Sequence, residues 1–113
     1  MNLPVFKEQM VSSNCVVLNL ELPVDAEAFR GHFPDQPILP GVVQLDWVMG
    51  FAKKYFNIAC PSAQAFQVKF THVVQPGQIE MHLKYSGNRL SFEYKSNTQK
   101  YSSGSIILSE SLT

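Results

Sequence analysis

From residue 15 the chain reads CVVLNLEL before Pro23, a β-branched and aliphatic run that alternates with polar residues toward its end. The pattern predicts a strand over 15–23. The next segment breaks all periodicity: between residues 25 and 41 stand Gly31, Pro34, Pro37, Pro40 and Gly41. That density fixes several φ angles and leaves no room for regular helix or a central strand. From Gly41 to about Phe56 there is no proline, and Val42, Val43, Leu45, Trp47, Val48, Met49, Phe51, Ala52, Tyr55 and Phe56 spread nearly all round a helical wheel. This predicts a helix over 41–56, buried on most sides. Lys53 and Lys54 suit the dipole of its last turns, and Pro61 stands beyond its end.

After Ser62 the period becomes two. The runs QAFQVKFTHVVQ, QIEMHLKYS, RLSFEYKS and QKYSSGSIILSE are separated by Pro-Gly, Gly-Asn and Asn-Thr, which predicts an antiparallel meander. One buried helix with roughly five or six antiparallel strands gives an α+β fold in which a curved sheet wraps the helix. A chain of 113 residues is the size of one domain, spanning 1–113, and no internal repeat divides it.

Charge and composition narrow the function classes. Nine basic side chains balance nine acidic ones, so the phosphate attraction that a nucleic-acid binder relies on is missing. The opening MNLPVFKEQMVSSN holds one lysine and no sustained apolar stretch, which does not read as a signal peptide. No run of about 18 apolar residues is present either, so a cytoplasmic protein without a membrane span is expected. Cys15 and Cys60 match no metal or redox spacing and are expected as free, partly buried thiols.

Candidate chemistry begins with Asp46. Its helical neighbours Val42, Val43, Met49 and Gly50 offer no salt bridge. A carboxylate so placed reaches solvent, meets a partner from elsewhere in the chain, or is driven toward its neutral form by desolvation, and the last of these makes a general acid. The plain alternative is an aspartate on a narrow polar stripe with Gln44 and Lys53. His32 stands at the far end of the Pro-rich segment, a scaffold able to hold an imidazole near the helix start. Alone it would read as a solvated loop histidine. Gly41, at the helix start, offers N–H groups with no partner four residues back, a place for a developing oxyanion; otherwise it is a turn glycine.

Other residues read more simply. His72 falls on the predicted strand face of Phe66, Val68, Phe70 and Val74, as a core or interface residue. Metal ligation is disfavoured there, since no carboxylate or second histidine sits at matching spacing, and no metal or cofactor is expected. His82, opposite Ile79, Met81, Leu83 and Tyr85, should face solvent, and Trp47 reads as core. Arg30, Lys53, Lys54 and Lys69 form either a basic surface or a set of solvated charges.

Taken together, His32-Phe33-Pro34, Pro37, Pro40-Gly41-Val42 and Asp46 resemble the signature of the β-hydroxyacyl-acyl carrier protein dehydratases of the hotdog fold, the FabZ and FabA group. That signature is His-Phe-Pro, Pro-x-x-Pro-Gly-Val and an acidic residue fourteen positions beyond the histidine, as Asp46 is from His32. QVKFTHVVQPGQIEMHLKY is similar to the family's strand, Pro-Gly turn and next strand, so the resemblance covers most of the chain after Phe29. It implies a single hotdog domain that dehydrates a (3R)-3-hydroxyacyl chain on acyl carrier protein to the trans-2-enoyl thioester, in fatty acid or polyene-type biosynthesis. His32 would be the base taking the α-proton and Asp46 the acid protonating the β-hydroxyl. The Gly41 amide would hold the thioester oxygen, with Phe33 and Val42 lining the substrate site.

No cofactor is implied. The partners implied are acyl carrier protein and a second hotdog subunit, because in this family the histidine and the acid of one site come from different chains. A homodimer follows, or a heterodimer with a related subunit, and a helix apolar on nearly all faces asks for such cover. Two departures stand out: FabZ-like members carry glutamate where this chain has Asp46, and the FabA branch carries aspartate on a longer chain. The short N-terminus resembles the small dehydratases of bacterial aryl-polyene and related pathways. Rival readings are a hotdog thioesterase, which needs a carboxylate but not the His-Phe-Pro segment, and a non-catalytic acyl-binding or heterodimer-completing subunit. Presence of both His32 and Asp46 argues against the last.

Overall fold

Alternation of buried and less buried side chains, clearest along Gly77–Ser86 and Arg89–Lys95 and in the second half of Cys15–Leu22, shapes the molecule. The computed structural model describes residues 3–26, 29, 37–58 and 61–110. Strands β1 (Val5–Val11), β2 (Cys15–Leu22), β3 (Pro61–Phe70), β4 (Gly77–Ser86), β5 (Arg89–Lys95) and β6 (Lys100–Glu110) form one sheet in the order β1-β2-β4-β5-β6-β3. Every neighbouring pair is antiparallel. Helix α1 (Gly41–Phe56) lies against one face, with the bounds that its proline-free wheel predicts. Asn57 ends it in the left-handed conformation at φ 55°, which asparagine tolerates better than most residues.

Because side chains alternate along a strand, the register decides which residues meet the helix. One cross-strand row runs Val16, Leu83, Phe92, Gly104, Val68, and the next runs Leu18, Met81, Tyr94, Ser102, Phe70. Val16, Leu83, Phe92, Leu18, Met81 and Tyr94 of these rows join Leu20, Ile79, Leu90, Ile106 and the α1 residues Trp47, Val48, Phe51 and Ala52 in one core, whereas Phe70 at the row's end is half exposed. Gly104 has a steric reason to lack a side chain: a Cβ there would strike the Gln67 carbonyl oxygen and approach Phe92 Cε1 to 2.9 Å.

Four expectations need correction. Helix α1 is not buried on most sides, since one sheet covers one side: Val42 is 74% exposed, and Asp46, Lys53 and Lys54 are exposed as well. Strand β1 was not foreseen, because VFKEQMV shows no clean alternation; it is an edge strand anchored by Phe6, whose ring meets Phe51 edge-on at 4.9 Å. The meander holds for β4, β5 and β6, and Gly87 at φ 62° makes the β4–β5 hairpin turn, but β3 sits at the far edge beside β6. Pro76-Gly77 is therefore part of a crossing connection, not a hairpin turn.

The last correction concerns His72, expected on the strand face shared with Phe66 and Val74. Strand β3 stops at Phe70, because the Thr71 and His72 amides both donate to the Tyr101 carbonyl, at 2.8 and 3.1 Å, and bend the chain out of the ladder. Val74 then pairs with Leu39 beside the start of α1, the Leu39 amide donating to its carbonyl at 2.8 Å. His72 is exposed, and its Nδ1–H donates to the Lys100 carbonyl at 3.0 Å. A Gly104→Ala substitution is expected to lower the unfolding free energy by about 1–3 kcal/mol through overpacking against β3 and Phe92, read from urea unfolding midpoints. An unchanged midpoint would refute the steric reading of this glycine.

Candidate active site

Proline shapes the start of α1. Pro40 is extended at φ −62°, ψ 147°, and no side chain caps the helix. Its carbonyl accepts from the Val43 and Gln44 amides, both at 3.1 Å, so the Gly41 and Val42 amides precede the first intrahelical bonds. A Cβ on Gly41 would lie 2.7 Å from Phe70 Cζ, which shows how closely that ring covers the glycine. Beside them opens a mainly apolar cavity of about 340 Å³, with Leu39, Gly41 and Gln44 on one wall and Phe70, Thr71 and His72 on the other. Apolar walls with a few backbone and side-chain polar groups are what a small-molecule site requires.

Asp46 follows about 7.5 Å further along the helix axis, five residues at 1.5 Å each. It lies on a stripe of α1 with Val42, Met49 and Lys53, at spacings that put all four on one side of the helix. Asp46 and Lys53 are exposed, as the polar-stripe reading has it. Gln44 departs from that reading, for it is 3% exposed and turned into the core. The apolar enclosure expected from the neighbours of Asp46 does not occur within one chain, where Val42 stands in solvent and Met49 and Gly50 are half-buried.

Beneath the first turn lies a polar cluster that the sequence did not reveal. Gln44 Nε2 donates to the Leu39 carbonyl at 3.2 Å, and Ser102 Oγ donates to Gln44 Oε1 at 2.7 Å. Tyr94 Oη donates to the Gln44 backbone carbonyl at 2.6 Å. Among the described residues no buried side-chain nitrogen or oxygen is left without a partner. A signal existed: Gln44 is spaced four and seven residues before Val48 and Phe51, both fully buried, so its position on the wheel is inward despite its polarity. Burial pushes the Tyr94 phenol well above its ordinary pKa, and the Asp46 carboxylate adds to the push.

The other candidates fall in different places. His32, Phe33 and Arg30 lie outside the described residues, as does Cys60, whereas Gly41, Val42 and Asp46 fall on the first two turns of α1. Cys15 is a free, half-buried thiol. His82 lies on the outer face of β4, half-buried, with Nε2 2.9 Å from Glu80 Oε1. Trp47 is core. Lys53, Lys54 and Lys69 are exposed. Among the described residues no three metal-ligating side chains cluster, and no helix is long and apolar enough to cross a membrane.

An antiparallel sheet wrapped about one central helix, with a cavity at the helix start, places the chain among hotdog-fold proteins. The ApeI-like family profile, described as ApeI dehydratase, matches residues 8–105, and the chain belongs to this family. It is similar to a chain of the dehydratase heterocomplex ApeI:P from Xenorhabdus doucetiae, with 33% identity and a TM-score of 0.83, over 93% of this chain and 96% of that one. An uncharacterised protein from Erwinia carotovora subsp. atroseptica shows 30% identity and a TM-score of 0.80, over 99% and 100% of the two chains. An uncharacterised protein from Pyrococcus horikoshii shares the fold at 14% identity, with a TM-score of 0.68 over 98% and 86%. Among curated proteins none matches.

The Tyr94 environment is directly testable. A phenol whose pKa is raised by folding adds stability that is complete below its unfolded value of about 10 and is lost as pH rises through the folded value. Tyr94 should therefore keep its proton until the fold opens. In an alkaline titration followed by tyrosinate absorbance, Tyr94→Phe should leave the signal that precedes unfolding unchanged. Loss of one reversible tyrosine from that signal would show the phenol to be accessible.

Proposed function

We propose that the chain is a catalytic dehydratase, a single hotdog domain over residues 1–113 that converts a 3-hydroxyacyl thioester on acyl carrier protein to the trans-2-enoyl thioester in the cytoplasm. The observation that supports it most is the placement of Gly41 in the wall of an apolar cavity at the start of α1, with Asp46 on the next turn of the same helix, in a member of a dehydratase family. In this reading the His32 imidazole takes the α-proton, and its bonding pair becomes the Cα=Cβ double bond. The Cβ–O bond breaks as Asp46 delivers its proton, so the hydroxyl departs as water. Charge that builds on the thioester oxygen is held by the Gly41 N–H, and one such donor is worth about 10²–10³ in rate. Proton exchange with solvent then returns His32 and Asp46 to their starting forms.

The site needs a second hotdog chain in this reading. Phe66 and Phe70 share the inward face of the sheet with Ile106 and Ser102, yet they are 63% and 52% exposed, even though the Phe70 ring covers Gly41 at the start of α1. Val42 at 74% and Val73 at 54% add to the uncovered apolar surface. A second subunit seated there would enclose Asp46 and supply the histidine of the site. That subunit is another copy of this chain or a related hotdog chain; the similar chain from Xenorhabdus doucetiae is itself part of a dehydratase heterocomplex.

Incubation of the purified protein with a 3-hydroxyacyl-carrier thioester should give loss of one water by mass spectrometry. Free thiol would instead show hydrolysis and replace this reading with that of a thioesterase. His32→Ala and Asp46→Asn should each lower kcat by about 10²–10⁴ with the fold intact, and kcat/KM should follow a bell-shaped pH profile. Near-unchanged turnover in either variant would remove that residue from its role. Phe66→Asp should shift sedimentation from dimer to monomer and abolish turnover; a dimer that persists would exclude the β3 face as the contact.

A further inference from the structure

The catalytic reading above requires the Gly41 amide and Asp46 to hold one position relative to the cavity, and apolar contacts do not supply that alone. Trp47, Val48, Phe51 and Ala52 seat α1 on the sheet through close packing, which holds the helix against the sheet but carries no hydrogen-bond direction. Hydrogen bonds are directional, and α1 has three of them converging on one residue of its first turn. The Gln44 side chain spans from the Leu39 carbonyl, in the segment leading to the helix, to Ser102 Oγ on β6. Its backbone carbonyl takes the Tyr94 hydroxyl from β5. Gln44 is 3% exposed, while Ser102 and Tyr94 are fully buried, so water does not compete for these bonds.

We propose that Gln44 is a positioning residue: bonded to Leu39, Ser102 and Tyr94, it locks the first turn of α1 to β5 and β6 and so sets where the Gly41 amide and Asp46 meet the substrate. The inference rests on the dehydratase reading for its consequence in rate, but its geometry is independent of that reading. Gln44 lies between the two groups in sequence, three residues after Gly41 and two before Asp46. One bond holds the segment before Gly41 and two hold the turn itself. Reactive groups need placement to about 0.5 Å, and bonds that cross from the sheet to the helix add to packing the directional hold that such placement requires.

Three variants remove one element of the lock each: Ser102→Ala the β6 hydroxyl, Tyr94→Phe the β5 hydroxyl, and Gln44→Met both amide ends at similar volume. The two milder changes keep the test available if Gln44→Met does not fold. Ser102→Ala and Tyr94→Phe are expected to retain the fold and the oligomeric state of the wild type while kcat falls by about 10-fold to 10²-fold, with KM nearly constant. Backbone amide hydrogen exchange should accelerate across residues 39–44 in both, with β2 and β4 unchanged. Unchanged kcat would overturn the proposal, as would exchange that accelerates evenly through the chain, since that is the mark of a merely stabilising cluster. If the wild type does not dehydrate the thioester, the functional reading fails separately. The exchange experiment then decides the lock alone: local acceleration sustains it, and uniform or absent acceleration overturns it.

Discussion

The seat of α1 on the inward face of the sheet is the constraint on which the rest depends. Gly41, Val42 and Asp46 are all carried on its first two turns, so each stands where the helix stands. Burial supplies the energy: Trp47, Phe51 and Val48 are at most 2% exposed, and a side chain of this kind contributes about 1.5–3 kcal/mol when fully buried. Register supplies the shape that receives them. Two rows of inward residues cross β2, β4, β5 and β6, with Gly104 clearing space for the Phe92 ring and Ser102 and Tyr94 forming a polar spot under the helix start.

That division of labour explains why a glutamine is tolerated at an inward position. A polar side chain in a core weakens it unless every donor and acceptor is met, and here both ends of the Gln44 amide have partners. An aliphatic residue of similar volume would give up nothing in burial, but it would leave the Leu39 carbonyl and Ser102 hydroxyl to find other partners. Cores that are uniformly apolar fill space without fixing one arrangement, whereas a satisfied polar cluster makes a single arrangement preferred. At the end of a helix that carries the candidate chemistry, such a preference has a use.

Much of this fold was legible in the sequence, and the failures share a cause. The bounds of α1 follow from the Pro-rich segment that ends at Gly41, the proline-free wheel, and Lys53, Lys54 and Pro61 at its far end, all local signals. Strands β4, β5 and β6 came from alternation and from Gly87-Asn88, which is local too. What failed was pairing over distance: β3 carries the right alternation, but nothing local says that it leaves β4 for the edge beside β6. The position of Gln44 failed differently, because its amide outweighed its place on the wheel until Ser102 and Tyr94 appeared on the facing strands. Of the candidate site residues, Gly41, Val42 and Asp46 lie on the helix that the wheel predicts, while His32 and Phe33 are outside the described residues.

Two unmet demands of the single chain point to the same surface. The apolar inward face of β3 lacks cover, with Phe66, Phe70 and nearby Val42 and Val73 each more than half exposed. Asp46 is exposed on the same helix stripe as Val42. A partner that buries the first group would therefore reach toward the second. Under the proposed dehydratase reading the chain would be half of a site, contributing the helix start, the acid and a cavity wall, each fixed by its own core. Water would then be excluded when the other half arrives. The lock at Gln44 then acquires its purpose, since a half-site must hold its geometry before its partner is there to enforce it.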